Sequence, residues 1–581
     1  MFKVSSYISL KIKKILPLFI LFIFNYNGFS QDDFETWPLS FDVTDSGIAV
    51  AEETSIVNEG NSSAKVTVNT GSQASTDWRK NINLISGITY TVSFKIYHTE
   101  GNLKARIYAG GYQNYSSNST TGSWQSLSYD YTAASTGSHD IGLRFYDQSG
   151  FDGSEIVYVD DFKIEGGDVT YSSNATISDS QTYDNLTVNA GVTLTIEKTG
   201  DLNVKTDIAN SGTIVVESDS NQFGSIIYSG TSSETITYKR YVADEGSNEW
   251  DLIGSPVAGQ SISSFVSANS SIADDGNQYG IGVFSNDGST DTAAAMYTNY
   301  TNDGAGSTTN VSDAGNFTAG QGYSMATDEA DTPGTTLDFT GTIRTTDLTG
   351  VAIDDNSTNA TNFGKWNLVA NPFPSYLNAN DDAHSSNNFL TVNASNLHSS
   401  FAAVYGYDGD GTFTEYNHTY NSNSAVYISP GQGFFVASDD SGGNTIQFTE
   451  AMQTTNGSDD FNAQNNILND AYEVLLRFYI GEEMIEDTRL YFEENLNLGL
   501  DVGYDAGAFD QNSAIMTRLV EDDQGYGMAI NAMSTDHMND VVIPLVINQD
   551  AGQEFRVNLH TSTIGEVNIY LEDTELSTLT L

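Results

Sequence analysis

What most constrains this chain is a rhythm. From residue 32 to its end it runs in short stretches of alternating apolar and polar residues, cut about every ten residues by Gly, Asn, Asp and Ser. Helical periodicity is nearly absent over the same span. Alternation with a period of two places neighbouring side chains on opposite faces of a strand, so the sequence predicts an all-β chain. Its 581 residues leave room for about three to five domains, each with a core of its own. Cysteine is absent, so no disulfide supports those cores; 32 Tyr, 29 Phe and 5 Trp supply the apolar bulk instead.

Changes in the rhythm divide the chain. Residues 31–166 read as a jelly-roll β-sandwich, because its strands are half-buried on one side. Val92, Phe94 and Ile96 oppose Ser93, Lys95 and Tyr97; Ala105 and Ile107 oppose Lys104, Arg106 and Tyr108; Ile141, Leu143 and Phe145 oppose Gly142, Arg144 and Tyr146. Residues 167–240 carry very short strands between Asn-Ala-Gly, Lys-Thr-Gly and Asn-Ser-Gly turns, the rhythm of a short β-solenoid spacer. Residues 241–348 and 349–455 are two copies of one β unit. Trp250-Asp-Leu-Ile-Gly-Ser-Pro256 recurs as Trp366-Asn-Leu-Val-Ala-Asn-Pro372, and Ala319-Gly-Gln-Gly-Tyr323 as Pro430-Gly-Gln-Gly-Phe434. Each copy is expected to be a unit with a buried Trp, or one half of a symmetric domain. Residues 456–581 read as a C-terminal β-sandwich, which the sequence leaves open to being truncated.

The first 30 residues have the order of a cleaved secretory leader. Lys11, Lys13 and Lys14 precede the apolar run Ile15–Phe24, and the small residues Gly28 and Ser30 precede Gln31. That run is too short to span a bilayer comfortably, and no later segment is apolar for long enough to cross as a helix. A secreted or outer-surface location is expected. Removing residues 1–30 takes four lysines and no acid, leaving 18 of the 22 basic side chains against 76 acidic ones, a net charge of −58. Such a charge opposes adhesion to nucleic acid, whose phosphates need clustered cations.

Against this acidity, three strands of residues 31–166 each offer a cation and a tyrosine on their polar faces: Lys95 and Tyr97, Arg106 and Tyr108, Arg144 and Tyr146. Aromatic rings stack on the apolar faces of pyranoses, and arginine forks pair with hydroxyls, carboxylates or sulfates. The pattern suits a polysaccharide, an anionic one above all; a convex solvent face in which arginine stems cover tyrosines is the alternative. Trp78, beside Arg79 and Lys80, belongs either to the core or to a cleft rim. Elsewhere chemistry is sparse. No His-Glu-x-x-His or Gly-x-Ser-x-Gly motif occurs, and none of the seven histidines pairs with another at metal-ligand spacing on one strand. Asp408-Gly-Asp-Gly411 reads as a hairpin turn more simply than as a calcium loop. Nothing marks two of the 76 acids as a glycosidase pair.

Phe34-Glu35, Gly60-Asn-Ser-Ser-Ala-Lys-Val66, Tyr90-Thr-Val-Ser-Phe94 and Val159-Asp-Asp-Phe162 resemble the carbohydrate-binding modules of families 4 and 9. The resemblance covers about a quarter of the chain. It implies a jelly roll with a sugar cleft on one sheet and a structural Ca²⁺ near the chain ends, with Glu35 and Asp161 at the matching calcium positions. Trp366–Pro374 followed by Pro430–Val436 resembles a segment of large bacterial surface proteins exported by type IX secretion, in which a C-terminal sorting domain usually follows. Three functions stand at this stage: a secreted, non-catalytic carbohydrate-binding protein; an adhesin or structural surface protein without sugar binding; and a polysaccharide-degrading enzyme or its accessory.

Overall fold

The computed structural model describes residues 7–13, 31–32, 34, 37, 39, 41–84, 88–135, 137–247, 250–287, 296–302, 309–357, 363–409, 411–418, 425–438, 443–457, 459–461, 472–538, 540–564, 568–573 and 578–580. The apolar run and cleavage site of the leader, and Glu35, lie outside the described residues. The chain is built of strands, with only short helices, and it divides into two compact units: residues 25–215 with 226–234, and residues 1–24, 216–225 and 235–581.

The smaller unit begins with a β-sandwich. One sheet runs, in spatial order, Trp124–Thr132, Thr89–His98, Glu155–Gly166, Ser63–Val68 and Ile48–Glu53. The facing sheet runs Val43–Thr44, Asp77–Leu84, Gly137–Asp147, Leu103–Ala109 and Tyr112–Tyr115. The chain's first and last segments here lie side by side, Gln31 and Asp32 pairing with Lys163 and Phe162. The apolar members of the alternating runs meet between the sheets: Val92, Phe94, Ile96, Val157 and Val159 from one, Ala105, Ile107, Ile141, Leu143 and Phe145 from the other. Each larger side chain buried this way contributes about 1.5–3 kcal/mol. Trp78 is a core residue, stacked on Phe41 at 4.0 Å between ring centroids.

The sandwich sheet continues into a parallel ladder. Gly166 pairs with Tyr183, and Ser180–Val188 pairs in parallel with Asp201–Asn210; a second ladder joins Ala175–Ile177 to Thr193–Ile196. Leu186, Val188, Leu194, Ile196, Leu202 and Val204 fill the space between. The turns of this solenoid are tight. A Cβ on Gly200 would sit 2.3 Å from the Ile177 carbonyl oxygen, and one on Gly212 the same distance from that of Val192.

In the larger unit the duplicated segments form two four-stranded sheets of identical order. Asp251–Ile253, Tyr323–Met325, Gln278–Phe284 and Tyr297–Thr301 make one; Trp366–Ala370, Gly433–Ala437, Val404–Tyr407 and Phe413–Tyr416 make the other. They meet about a pseudo-twofold: Gly254 N donates to Gly431 O at 2.8 Å and Ala370 N to Gly320 O at 2.9 Å. Matching asparagines clamp each copy. Asn269 donates to the carbonyls of Phe265 and Asp338 and accepts from Asp338 N; Asn393 does the same with Phe389 and Gln447. The copies differ at their tryptophans. Trp366 is fully buried beneath Phe509, whereas Trp250 stays half-buried, which corrects the expectation of a buried Trp in each.

Residues 472–580 form a further sheet around Val474, Leu476, Phe478, Leu490, Ile543 and Leu545. This region is not packed apart from the second copy. Tyr491, Ile530 and Ala532 share one core with Trp366, Phe401 and Tyr405, and Tyr405 Oη donates to Gly507 O at 2.7 Å. Within the sheet, Tyr7–Lys13 lies between Val542–Ile547 and Asn568–Asp573, antiparallel to both.

Candidate functional site: an arginine and tyrosine face

The outward side of the second sandwich sheet is set by register. One row across it reads Asp77, Arg144, Arg106, Tyr115; the next reads Arg79, Gly142, Tyr108, Tyr112. Tyr146 and Lys104 pair beside the first row. Gly142 leaves the middle of its row without a side chain, and the guanidinium of Arg79 lies over the Tyr108 ring at 4.3 Å. A Cβ at residue 142 would meet the Trp78 carbonyl oxygen at 2.2 Å. Arg144 covers Tyr112 at 4.0 Å, and Arg106 covers Tyr115 at 4.4 Å.

The three arginines are held differently. Asp77, buried, accepts Arg144 Nε at 2.5 Å, Arg144 Nη2, Arg79 Nη2 at 2.7 Å and the Tyr112 hydroxyl at 3.3 Å. The hydrogen bonds to Asp77 raise the pKa of Arg144 further, and burial, with Asp77 beside it, pushes the Tyr112 phenol up. Arg79 also reaches Asp140 at 3.2 Å, while its Nε is buried and makes no hydrogen bond. Arg106 donates only to neutral acceptors: the Gln113 carbonyl at 2.9 Å, the Tyr112 carbonyl at 3.0 Å and the Tyr146 hydroxyl at 3.3 Å. Among the described residues no carboxylate pairs with it. The face therefore carries Arg79, Arg106, Arg144 and Lys104 against Asp77 and Asp140, a local positive excess in a strongly acidic chain. Tyr115 at its edge is 45% exposed, a large aromatic surface open to solvent.

Of the six residues expected from alternation, four share this face: Arg106, Tyr108, Arg144 and Tyr146. Lys95 and Tyr97 do not, because Thr89–His98 belongs to the other sheet, and their side of it is the opposite outer surface. There Lys95 Nζ donates to Ser126 Oγ at 3.0 Å and Tyr97 packs edge-on against Trp124 and Tyr158. Period two assigns a residue to a face but not a strand to a sheet. Asp77, Arg79, Tyr112 and Tyr115 complete the face. Their only signal in sequence was a short polar segment rich in tyrosine, Tyr112-Gln-Asn-Tyr115, and the Asp and Arg flanking a core Trp.

The expected calcium position fares differently. Glu35 is outside the described residues. Asp161, in a left-handed backbone conformation at φ 55°, pairs with Lys163 Nζ at 2.7 Å. Asp160 accepts the backbone N–H groups of Asn58, Glu59 and Asp161, and burial pushes its carboxyl up to about 6. Among the described residues Asp161 is thus already paired with an ammonium and Asp160 with three backbone N–H groups, partners that Ca²⁺, which takes six to eight oxygens, would have to displace. Among the described residues no group of three or more His, Cys, Asp or Glu is placed to hold a metal. His418 pairs with Asp381 at 2.5 Å, while His384 and His398 cap local turns. Val404–Tyr407 and Phe413–Tyr416 pair as a hairpin across the Asp408 loop, and Asp408 accepts the Thr412 and Thr414 hydroxyls.

Residues 163–580 match the family described as a domain of unknown function (DUF8693). No curated protein matches the chain. Solved structures similar to part of it include the CBM22-1 xylan-binding domain from Paenibacillus barcinonensis Xyn10C, 16% identical, covering 24% of this chain and 92% of that one at a TM-score of 0.19. Another is a TmCBM61 domain in complex with β-1,4-galactotriose, 17% identical, covering 23% and 90% at a TM-score of 0.17. Likeness at this level carries no argument about the site, which rests on its own geometry.

Proposed function

The chain belongs to the DUF8693 family, and we propose that it is an exported, non-catalytic protein that binds polysaccharide through the arginine and tyrosine face of its N-terminal sandwich. Anionic polysaccharides are the class that face prefers. The reading rests on Arg106. A guanidinium has five N–H donors; three of these go to neutral acceptors, which leaves two N–H groups and an uncompensated charge beside the ring of Tyr115. A uronate or sulfate group would take those donors while a pyranose ring lies on the tyrosine.

A second reading has an observation of its own. Asp77 pairs with both Arg144 and Arg79 from within the chain, as a purely structural sheet surface would arrange it, and this favours an adhesin or surface component that binds no sugar. Calcium stays a separate proposal, one that requires Lys163 to leave Asp161 and Glu35 to join it.

The test is binding of residues 31–581 to immobilised neutral and anionic glycans, with Tyr115→Ala on one face and Tyr97→Ala on the other. Retention on anionic glycans, lost in Tyr115→Ala and kept in Tyr97→Ala, is expected. Silence across both glycan classes would overturn sugar binding, and loss confined to Tyr97→Ala would move the site to the other sheet.

A further inference from the structure

The pseudo-twofold of the larger unit relates two places that the chain fills differently. In one, Arg240 lies fully buried against the loop Pro430-Gly-Gln-Gly433. Its Nε donates to Pro430 O at 3.0 Å and its Nη1 to Tyr241 O at 2.7 Å, while Asp460 accepts Nη2 at 2.8 Å. The Phe223 ring lies 4.2 Å from the guanidinium, and Phe223 and Asp460 are buried with it. Three side chains of the protein itself thus fill this half.

Register identifies the counterpart. Arg240 stands opposite Leu337 and Val351 opposite Ile446, in strands whose Leu337-Asp-Phe339 and Ile446-Gln-Phe448 correspond between the copies. Three residues on, Ala243 N donates to Asp251 and Asp354 N to Asn367, the same contact in each copy. Val351 therefore takes the place of Arg240, and Ala319-Gly-Gln-Gly322 that of Pro430-Gly-Gln-Gly433. Valine has neither the length nor a donor to do what Arg240 does. A cleft of about 490 Å³, lined by Val351 and this loop, stands where the other half holds guanidinium, ring and carboxylate.

The lining limits what fits. Phe284 and Leu368 offer apolar surface, and Thr318, Gln321 and Thr349 offer polar groups. In the filled half Arg240 takes the Pro430 carbonyl, and Gln432 Oε1 accepts Phe461 N at 3.3 Å and Ser429 Oγ at 2.9 Å. Among the described residues no hydrogen bond reaches their counterparts, the Ala319 carbonyl oxygen and the Gln321 side-chain amide. None of the sixteen described residues lining the cleft is charged, although charged residues make up 17% of the chain. An ion entering it would lack the partner that Asp460 gives Arg240, and an unpaired charge is costly to bury. The complement of such a cleft is a neutral molecule. Its hydroxyls would donate to a carbonyl and exchange hydrogen bonds with an amide, and its ring would lay an apolar face on Phe284. The volume lies within the range of small-ligand sites.

We propose that the cleft between the two copies is a carbohydrate site of its own, which takes a neutral sugar anchored by Gln321 and the Ala319 carbonyl with Phe284 against the ring. The inference does not rest on the arginine and tyrosine face, which prefers charge where this cleft excludes it.

The test is isothermal titration of the chain carrying Tyr115→Ala, which silences the sandwich face, with neutral tetrasaccharides of glucose, mannose, galactose and xylose. Binding of at least one is expected, with a Kd that added salt leaves unchanged. Gln321→Leu should weaken it about tenfold through lost hydrogen bonds. Val351→Arg, which copies the filled half, should abolish it, and Thr349→Trp at the exposed mouth does the same if Val351→Arg fails to fold. Silence from all four sugars overturns the proposal, as does binding that Gln321→Leu and the blocking variant leave unchanged. Neutral binding present in the wild type but lost in Tyr115→Ala alone would return it to the sandwich face. Neutral tripeptides that bind where no sugar does would assign the cleft to a polypeptide and overturn the proposal equally.

Discussion

Arg106→Gln separates a binding face from an inert one. The substitution removes the charge and the fork while keeping a polar side chain of moderate length. Inside the protein it loses the bonds to the Gln113 and Tyr112 carbonyls and to the Tyr146 hydroxyl. These are charge-assisted, and the first two hold the short strand Tyr112–Tyr115 to its neighbour, so a destabilisation of about 1–3 kcal/mol is expected. Toward a ligand it removes two free N–H donors and their charge. One charge-assisted contact of that kind is worth about 1.5–3 kcal/mol, a roughly 10- to 150-fold weaker Kd for an anionic glycan. Arg106→Lys keeps the charge but not the planar fork and should fall between, since an ammonium cannot pair a carboxylate bidentately. Isothermal titration with polygalacturonate oligomers and with neutral xylan oligomers measures both classes, and melting curves supply the stability term. Wild-type affinity for the anionic ligand should fall as salt is added. If Arg106→Gln lowers the melting temperature while its Kd for polygalacturonate moves less than about threefold, well under the ~1.5 kcal/mol floor, Arg106 is a structural clamp and the anionic reading fails.

Three further outcomes follow from other parts of the molecule. Arg240 is fully buried, donating to the carbonyls of Pro430 and Tyr241 and to Asp460 at 2.8 Å, with Phe223 against its guanidinium at 4.2 Å. Arg240→Met strands Asp460 and should cost about 3–5 kcal/mol by urea unfolding, while Arg240→Met with Asp460→Leu recovers part of it; a single variant within about 1 kcal/mol of wild type would contradict the pairing. Burial raises Asp505 to about 7 although Asp501 N and Ala532 N donate to it, and it raises Glu473 and Glu486 as well. The folded state then holds protons that the unfolded chain has released, so stability is full below about pH 4 and is lost as pH climbs through about 7. The contribution of Asp505 is on the order of 4 kcal/mol, and a urea midpoint that rises from pH 5 to pH 8 would contradict it. If Ca²⁺ displaces Lys163 from Asp161, millimolar CaCl₂ raises the melting temperature of residues 31–581 and EGTA reverses it; an unchanged melting curve removes calcium from the reading.

How much of this was legible depended on the range of the interaction. Val92, Phe94 and Ile96 point into the sandwich core as their alternation required, because a strand's two faces are fixed locally. Which sheet Thr89–His98 would join is decided by pairing with Trp124–Thr132 and Glu155–Gly166, and nothing in its own sequence encodes that. Alternation alone therefore groups Lys95 and Tyr97 with residues on the far side of the sandwich. The duplication was visible because its repeated Trp-x-Leu and Gly-Gln-Gly segments mark strands and the turns at the pseudo-twofold. The asparagine clamps are marked in sequence only by a Phe-x-x-x-Asn spacing common to both copies, Phe265 to Asn269 and Phe389 to Asn393, too short a pattern to announce a clamp by itself. Trp366 is buried by Phe509, more than a hundred residues away, and no local pattern reports such a partner.

The family boundary bears on where function lies. Its match begins at Lys163, inside the strand Glu155–Gly166 that sits at the centre of one sandwich sheet. Arg79, Arg106, Arg144 and the tyrosines they cover all precede that point, so the proposed face lies outside the residues that match the family. The two are nonetheless joined by more than a linker. The last residue of that strand, Gly166, pairs with Tyr183 of the first solenoid ladder, and a Cβ there would come within 2.6 Å of the Thr182 carbonyl oxygen. Tyr90 of the sandwich donates to Gln181 of the ladder at 3.4 Å. A sheet that continues from the sandwich into the ladder passes load through backbone hydrogen bonds instead of a flexible tether.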